Sequence, residues 1–123
     1  MRILLAEDNR TIAALVRTIL EQNGHLVWET DNGLEALQYA LVNTPDLAIL
    51  DGSMPTMDGW EVCRRVKAQK ALPVLMLTVH AEHRDRELAE ECGADGYMIK
   101  PFEIPRFLAE LERIVQAAST PMR

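Results

Sequence analysis

The chain has little cysteine, no long apolar run and a shortage of positive charge. Its two cysteines, Cys63 and Cys92, fall in separate helical patterns without metal-ligand spacing. They are therefore expected as buried thiols rather than as a disulfide or a zinc site. No apolar stretch approaches the roughly 20 residues of a membrane span, and no basic region with a cleavage site precedes the strand-like Ile3-Leu4-Leu5. A cytoplasmic protein with no membrane segment is expected. Against 19 Asp and Glu stand only 13 Lys and Arg, a formal net charge of -6, and the three histidines are scattered. Such a surface repels nucleic acid, so direct nucleic-acid binding by this segment is not expected.

What is present is enough for one compact domain with a core: 123 residues, 48% hydrophobic and 26% charged. There is no internal repeat beyond one rhythm, strand then helix, met five times along the chain. Residues 2–6 read as a buried strand, and Ile12, Leu15, Val16, Ile19 and Leu20 follow at helical spacing up to the stop at Asn23-Gly24. A second strand covers 25–30, and Leu34, Leu37, Tyr39, Ala40 and Leu41 mark a second helix, broken by Asn43-Thr44-Pro45. The third strand is 46–50, with a helix from about Trp60 to Gln69; the fourth is 74–78, with a helix from about Arg84 to Cys92 ending at Gly93. A fifth strand near 97–99 precedes a last helix from Ile104 to Ala117. Nearly all-apolar strands alternating with amphipathic helices predict a doubly wound α/β domain, a (βα)5 unit around a parallel sheet covered on both faces. The domain is expected to occupy residues 1–118, with 119–123 a tail or the start of a linker.

Within "LAILDGSMPTMDGWEVC" (47–63) an apolar strand ends on Asp51 and runs into Gly, Ser and Pro. Open parallel sheets bind ligands beyond the carboxyl ends of their strands. Four strands here end on polar residues at that edge: Glu7 and Asp8 after the first, Asp51 at the third, Thr78 at the fourth and Lys100 after the fifth. Three gathered carboxylates repel one another and need a cation, and an all-oxygen donor set selects a hard ion such as Mg²⁺, which leaves room for a phosphate oxygen. Asp51 is then positioned to accept a phosphoryl group, with the metal and Lys100 offsetting charge and Thr78 donating a hydrogen bond. Plainer roles exist for each residue alone. The acids can cap helices, Thr78 can be a strand-end hydroxyl, Lys100 a structural ion-pair partner, Tyr97 a packed aromatic, and Trp28 and Trp60 packing or surface residues.

Taken together, Glu7-Asp8, Asp51 in "LAILDGSMPTMDG", Thr78, and Lys100-Pro101-Phe102 after "GADGYMI" closely resemble the receiver domain of bacterial two-component response regulators. The resemblance implies a chemotaxis-regulator-like, flavodoxin-like fold with a five-stranded sheet in the order 2-1-3-4-5. It also implies that Asp51 is the phosphoacceptor for a sensor histidine kinase or phosphotransfer protein, in a protein that assists its own phosphorylation and dephosphorylation without being a classical enzyme. Asp8 and Asp51 would contact Mg²⁺ directly, Glu7 through water, and the Ser53 backbone carbonyl would complete the protein ligands. Thr78 and Tyr97 match the family's switch pair, the readout surface would be the fourth helix, fifth strand and fifth helix, and Lys100-Pro101 matches a position where a cis peptide is common.

Two departures stand out. Glu7-Asp8 replaces the frequent pair of aspartates, which keeps the charge and lengthens one arm. Val79 stands after Thr78 where a small residue is usual, and its branched side chain is expected to narrow the path to the phosphoryl group. His80 and His83 are read as solvated loop residues near the rim. An aspartyl-phosphate hydrolase would carry a second Asp where Ser53 stands, and a flavodoxin-type phosphate loop does not match "EDNRT" after the first strand. The remaining alternative is a phosphorylation-independent interaction module, although Asp51, Thr78 and Lys100 are all retained. The output would be a separate effector or a C-terminal domain absent from this chain. Charges on the last two helices (Arg84, Arg86, Glu87, Glu90, Glu91; Arg106, Glu110, Glu112, Arg113) offer a homodimer contact, with a solvated charged face as the default.

Overall fold

The computed structural model describes residues 1–79 and 83–119, without the side chains of 83–86 and 119. The elements are β1 (Arg2–Ala6), α1 (Arg10–Gln22), β2 (Leu26–Thr30), α2 (Gly33–Val42), β3 (Leu47–Asp51), α3 (Gly59–Lys67), β4 (Val74–Thr78), α4 (His83–Cys92), β5 (Gly96–Ile99) and α5 (Ile104–Ser119). The strands form one sheet, ordered β2-β1-β3-β4-β5, with every neighbouring pair parallel. The winding reverses between β1 and β3, whose registers run from Ile3 opposite Leu47 to Ala6 opposite Leu50. That reversal opens a crevice at the ends of these two strands.

Period-two alternation divides the core into two layers. Ile3, Leu5, Ile49, Leu75 and Leu77 point to one face, under Val16, Ile19 and Leu20 of α1 and Phe107, Leu111 and Ile114 of α5. Leu4, Ala6, Leu50 and Met76 point to the other, under Leu37 and Ala40 of α2 and Val62, Cys63 and Val66 of α3. Both faces are covered, which is why β3 and β4 are buried along their whole length. The edge strands β2 and β5 are less covered, and Leu26 and Ile99 are 71% and 38% exposed.

Helix starts follow local chemistry. The side chains of Asn9, Asn32 and Asp58 accept hydrogen bonds from the amides of Ile12 (3.1 Å), Glu35 (2.9 Å) and Glu61 (2.8 Å), capping α1, α2 and α3. Gly24 and Gly93 close α1 and α4 with φ of 85° and 82°, a conformation that costs glycine no steric strain. Thr56 is a non-glycine at positive φ, 69°; its hydroxyl accepts the Leu34 amide at 3.0 Å, which ties the β3–α3 loop to the start of α2.

The expected helical faces need two corrections. Leu15 and Leu34 were expected among the apolar contacts, yet they are 52% and 46% exposed. In α1 the buried face is centred on Ala13, Val16, Ile19 and Leu20, which leaves Leu15 to one side. In α2, Gly33 makes the close contact. A Cβ there would lie 1.8 Å from the Met57 carbonyl oxygen, so the helix approaches through its glycine and turns Leu34 outward. α4 begins at His83, one residue before the expected start, α3 ends at Lys67, and α5 runs through Ser119, one residue into the expected tail. His80 lies outside the described residues, and of His83 only the backbone is described.

Candidate functional site

The carboxyl ends of β1, β3, β4 and β5 bring Glu7, Asp51, Thr78 and Lys100 together, all four buried, with Asp8 exposed beside them. Each position follows from the ladder. The Glu7 amide bonds the Thr30 carbonyl at 3.0 Å and extends the β1–β2 pairing one residue, while the Lys100 amide bonds the Thr78 carbonyl at 2.6 Å and does the same for β4–β5. The Gly52 amide bonds the Leu77 carbonyl at 3.0 Å, which holds Asp51 at the rim. Helix capping is not the task of these acids, because Asn9, Asn32 and Asp58 already perform it.

Among the described residues, Glu7, Asp8 and Asp51 each offer a carboxylate oxygen within 4.8 Å of the others. Lys100 faces them. Its ammonium donates to Glu7 Oε1 at 2.6 Å and lies 3.6 Å from Asp51 Oδ1. Glu7 Oε2 accepts the Asn9 amide at 3.1 Å, so this acid is held from both sides. One ammonium among three carboxylates leaves negative charge in excess. Burial, then hydrogen bonding and repulsion from Glu7, with a further contribution from Asp8, push the Asp51 carboxyl up from 3.8 to about 8, against the opposing pull of Lys100. A divalent cation among the three oxygens would reverse that balance. The donor set, all carboxylate oxygen with neither imidazole nor thiolate, fits Mg²⁺.

The loop after Asp51 is built to stay close. The Ser53 amide donates to Asp51 Oδ1 at 3.2 Å. A Cβ on Gly59 would meet the Asp51 carbonyl oxygen at 2.0 Å, and the Gly59 amide bonds the Gly52 carbonyl at 3.1 Å, so the start of α3 sits directly against the loop. Trp60 has a larger part here than its sequence position indicated. Its indole would lie 2.8 Å from a Cβ on Gly52, and its ring is 6.4 Å from that of Tyr97, linking the loop to the half-buried tyrosine on β5. The signal in the sequence was Asp58-Gly59-Trp60, with glycine where no side chain fits and an aromatic next to it. Trp28 packs instead, stacked on Tyr39 with centroids 4.0 Å apart. Val79 follows β4 at the rim and is 57% exposed. The Lys100–Pro101 peptide is cis.

Comparison with known proteins agrees with this geometry. The model of the response regulator receiver domain matches residues 3–112. The chain is 40% identical to the alkaline phosphatase synthesis transcriptional regulatory protein PhoP of Bacillus subtilis over 116 residues, 94% of this chain and 48% of that protein. It thus spans about half the length of the curated relatives it matches. Among solved structures it is similar to the chemotaxis protein CheY4 of Vibrio cholerae, with a TM-score of 0.85 and 32% identity over 92% of this chain and 97% of that one. It is also similar to the receiver domain of sensor histidine kinase PA1611 from Pseudomonas aeruginosa, with a TM-score of 0.87 and 29% identity over 94% of this chain and 97% of that one; that structure has a magnesium ion coordinated in its active site cleft. Matching in fold and in sequence along nearly its whole length, the chain belongs to the response regulator receiver domains of two-component systems.

Proposed function

We propose that residues 1–118 act as a phosphoacceptor domain, with Asp51 taking a phosphoryl group from a sensor histidine kinase or phosphotransfer protein in a Mg²⁺-dependent reaction. The observation that carries this reading is the meeting of Glu7, Asp8 and Asp51 within 4.8 Å, with the Lys100 ammonium beside them. A bound Mg²⁺, held by Asp8, Asp51, the Ser53 carbonyl and, through water, Glu7, would lower the charge on the phosphoryl oxygens and keep Asp51 ionised. Asp51 attacks phosphorus through a carboxylate oxygen, and the donor's leaving group departs with the bonding pair. Lys100 then exchanges part of its contact with Glu7 for a phosphoryl oxygen, and the Thr78 hydroxyl donates to another.

The response follows from Thr78. Movement of its hydroxyl toward the phosphoryl group opens space behind it, which the Tyr97 ring fills by turning inward, and the α4–β5–α5 surface changes for an effector or output domain. A phosphorylation-independent module would need none of this assembly, and nothing in the site favours it.

Intact mass after incubation with acetyl phosphate tests the reading. One phosphoryl group is expected on the wild type with Mg²⁺, and none with EDTA or in Asp51→Asn. No adduct from acetyl phosphate or from a kinase, together with no binding of fluoroberyllate, would sink it.

Val79 supplies a finer expectation. Exposed at the rim directly after Thr78, it shields the acyl phosphate from water. Val79→Ala is expected to shorten the phospho-Asp51 lifetime several-fold, followed by the decay of the phosphorylated mass; an equal or longer lifetime removes the role.

A further inference from the structure

The two cysteines, expected as separate buried thiols, are both buried but not separate. Cys63 lies on α3 and Cys92 is the last residue of α4, with 0% and 5% exposure. The Cys63 thiol donates to the Cys92 carbonyl at 3.4 Å, and the Cys92 thiol donates to the Ala89 carbonyl at 3.2 Å. The Cys63 sulfur thus lies against the backbone of Cys92, at the C-terminal end of α4. Of the described side chains of α4, Ala89 and Cys92 are the ones that are buried, so this helix is held to the domain by few apolar contacts, and Cys92 is one of them. Just beyond, Gly93 has φ +82° and the Ala94 amide returns to the Ala89 carbonyl at 3.0 Å. The backbone there is a helix-ending turn, the place where a small adjustment of α4 is easiest.

We propose that Cys63 and Cys92 form an oxidisable pair that closes to an intramolecular disulfide between α3 and α4, with a small peroxide as the oxidant. The roles of the two sulfurs differ. The neighbouring Cys63 thiol lowers the Cys92 thiol, with the Ala94 amide and Lys67 assisting against burial, whereas the contact with Cys92 and burial push Cys63 up. Cys92 is also the more exposed, so it reacts first. Its thiolate attacks one peroxide oxygen, the O–O bond breaks, and hydroxide leaves and takes up a proton to become water. Cys92 is then a sulfenic acid. The Cys63 sulfur attacks the Cys92 sulfur, the S–O bond breaks, and the departing hydroxide takes the Cys63 proton to leave a second water. The two thiols have lost two electrons and the peroxide has gained them. Closure brings the sulfurs to about 2.05 Å, which requires that they already be neighbours on facing elements.

The bond would fasten the C-terminal end of α4 to α3. Its effect on signalling rests on the proposed function, since α4 belongs to the surface proposed to carry the response, but its formation does not. In the folded wild type, brief peroxide treatment, unfolding and alkylation are expected to yield a monomer about 2 Da lighter that takes no alkyl group. Peptide mapping should join the segments that contain Cys63 and Cys92, and dithiothreitol should restore two alkylatable thiols. In Cys63→Ser, Cys92 is expected to stop at a sulfenic acid that dimedone captures. Two thiols still alkylatable after treatment, over-oxidation of Cys92 without a cross-link, or a bond found only between two chains would overturn the proposal. Failure of the reduced protein to accept phosphate, with the cross-link formed, would instead count against the phosphoacceptor reading alone.

Discussion

As the proposed phosphoacceptor, Asp51 meets two opposed demands, to be buried among other acids and to be ionised when it reacts. The fold secures the first, and under that proposal the second is left to a cation. Because the folded protein raises this carboxyl from 3.8 to about 8, it binds the proton more tightly than the unfolded chain does between those values. The unfolded chain then carries fewer protons, so this group's contribution is fully present below about 4 and is lost as pH rises through about 8. Each unit of such a shift corresponds to about 1.4 kcal/mol. In EDTA the thermal midpoint is therefore expected to be several degrees higher at pH 5 than at pH 8, and saturating Mg²⁺ or Asp51→Asn should remove most of that difference. A wild-type midpoint that rises over the same range in EDTA, with no change in the variant, would show that the neighbouring acids do not strain Asp51. At this scale the site was legible, since Glu7, Asp8, Asp51, Thr78 and Lys100 all stand at strand ends. The pairing of Lys100 with Glu7 was not, because residues 93 apart meet only through the sheet.

At the scale of elements, the start of α3 decides how the loop after Asp51 is held. Gly59 leaves room for the Asp51 carbonyl where a Cβ would come to 2.0 Å, and the obstacle is backbone, which cannot swing aside. Gly59→Ala is thus expected to cost about 1–3 kcal/mol, as overpacking does, and to slow phosphorylation by displacing Gly52 and Ser53. Urea denaturation and the rate of the mass increase measure the two effects. A variant as stable and as fast as the wild type would mean that α3 does not hold this loop. The helical periods were readable, but which face turned inward was only partly so. Leu15 and Leu34 are large and apolar yet exposed, because Ala13 and Gly33 permit closer packing than they would.

At the scale of the molecule, several charges near the proposed readout surface are already engaged within one chain. Arg113 pairs with Glu110 and donates to the Asp95 carbonyl at 2.8 Å, and Lys67 reaches Asp95 at 2.6 Å. Exposed pairs of this kind contribute little each, and forming a dimer would mean exchanging them for equivalents. Light scattering after size exclusion is expected to show a monomer with and without fluoroberyllate; a doubled mass in the activated sample would show that a dimer forms through rearranged contacts.

The number and alternation of elements, their parallel arrangement and the set of polar residues at the strand ends were determined by the sequence itself. Apolar period, glycine and asparagine stops and polar strand ends act locally and can be read locally. Contacts between distant residues were decided only by the tertiary structure: the carboxylates within reach of one cation, Trp60 between Gly52 and Tyr97, and Cys63 against Cys92. The physical reason is that a β–α crossover fixes where a strand lies, but the sub-ångström fit of one helix on its neighbour depends on the volumes of all the side chains packed between them.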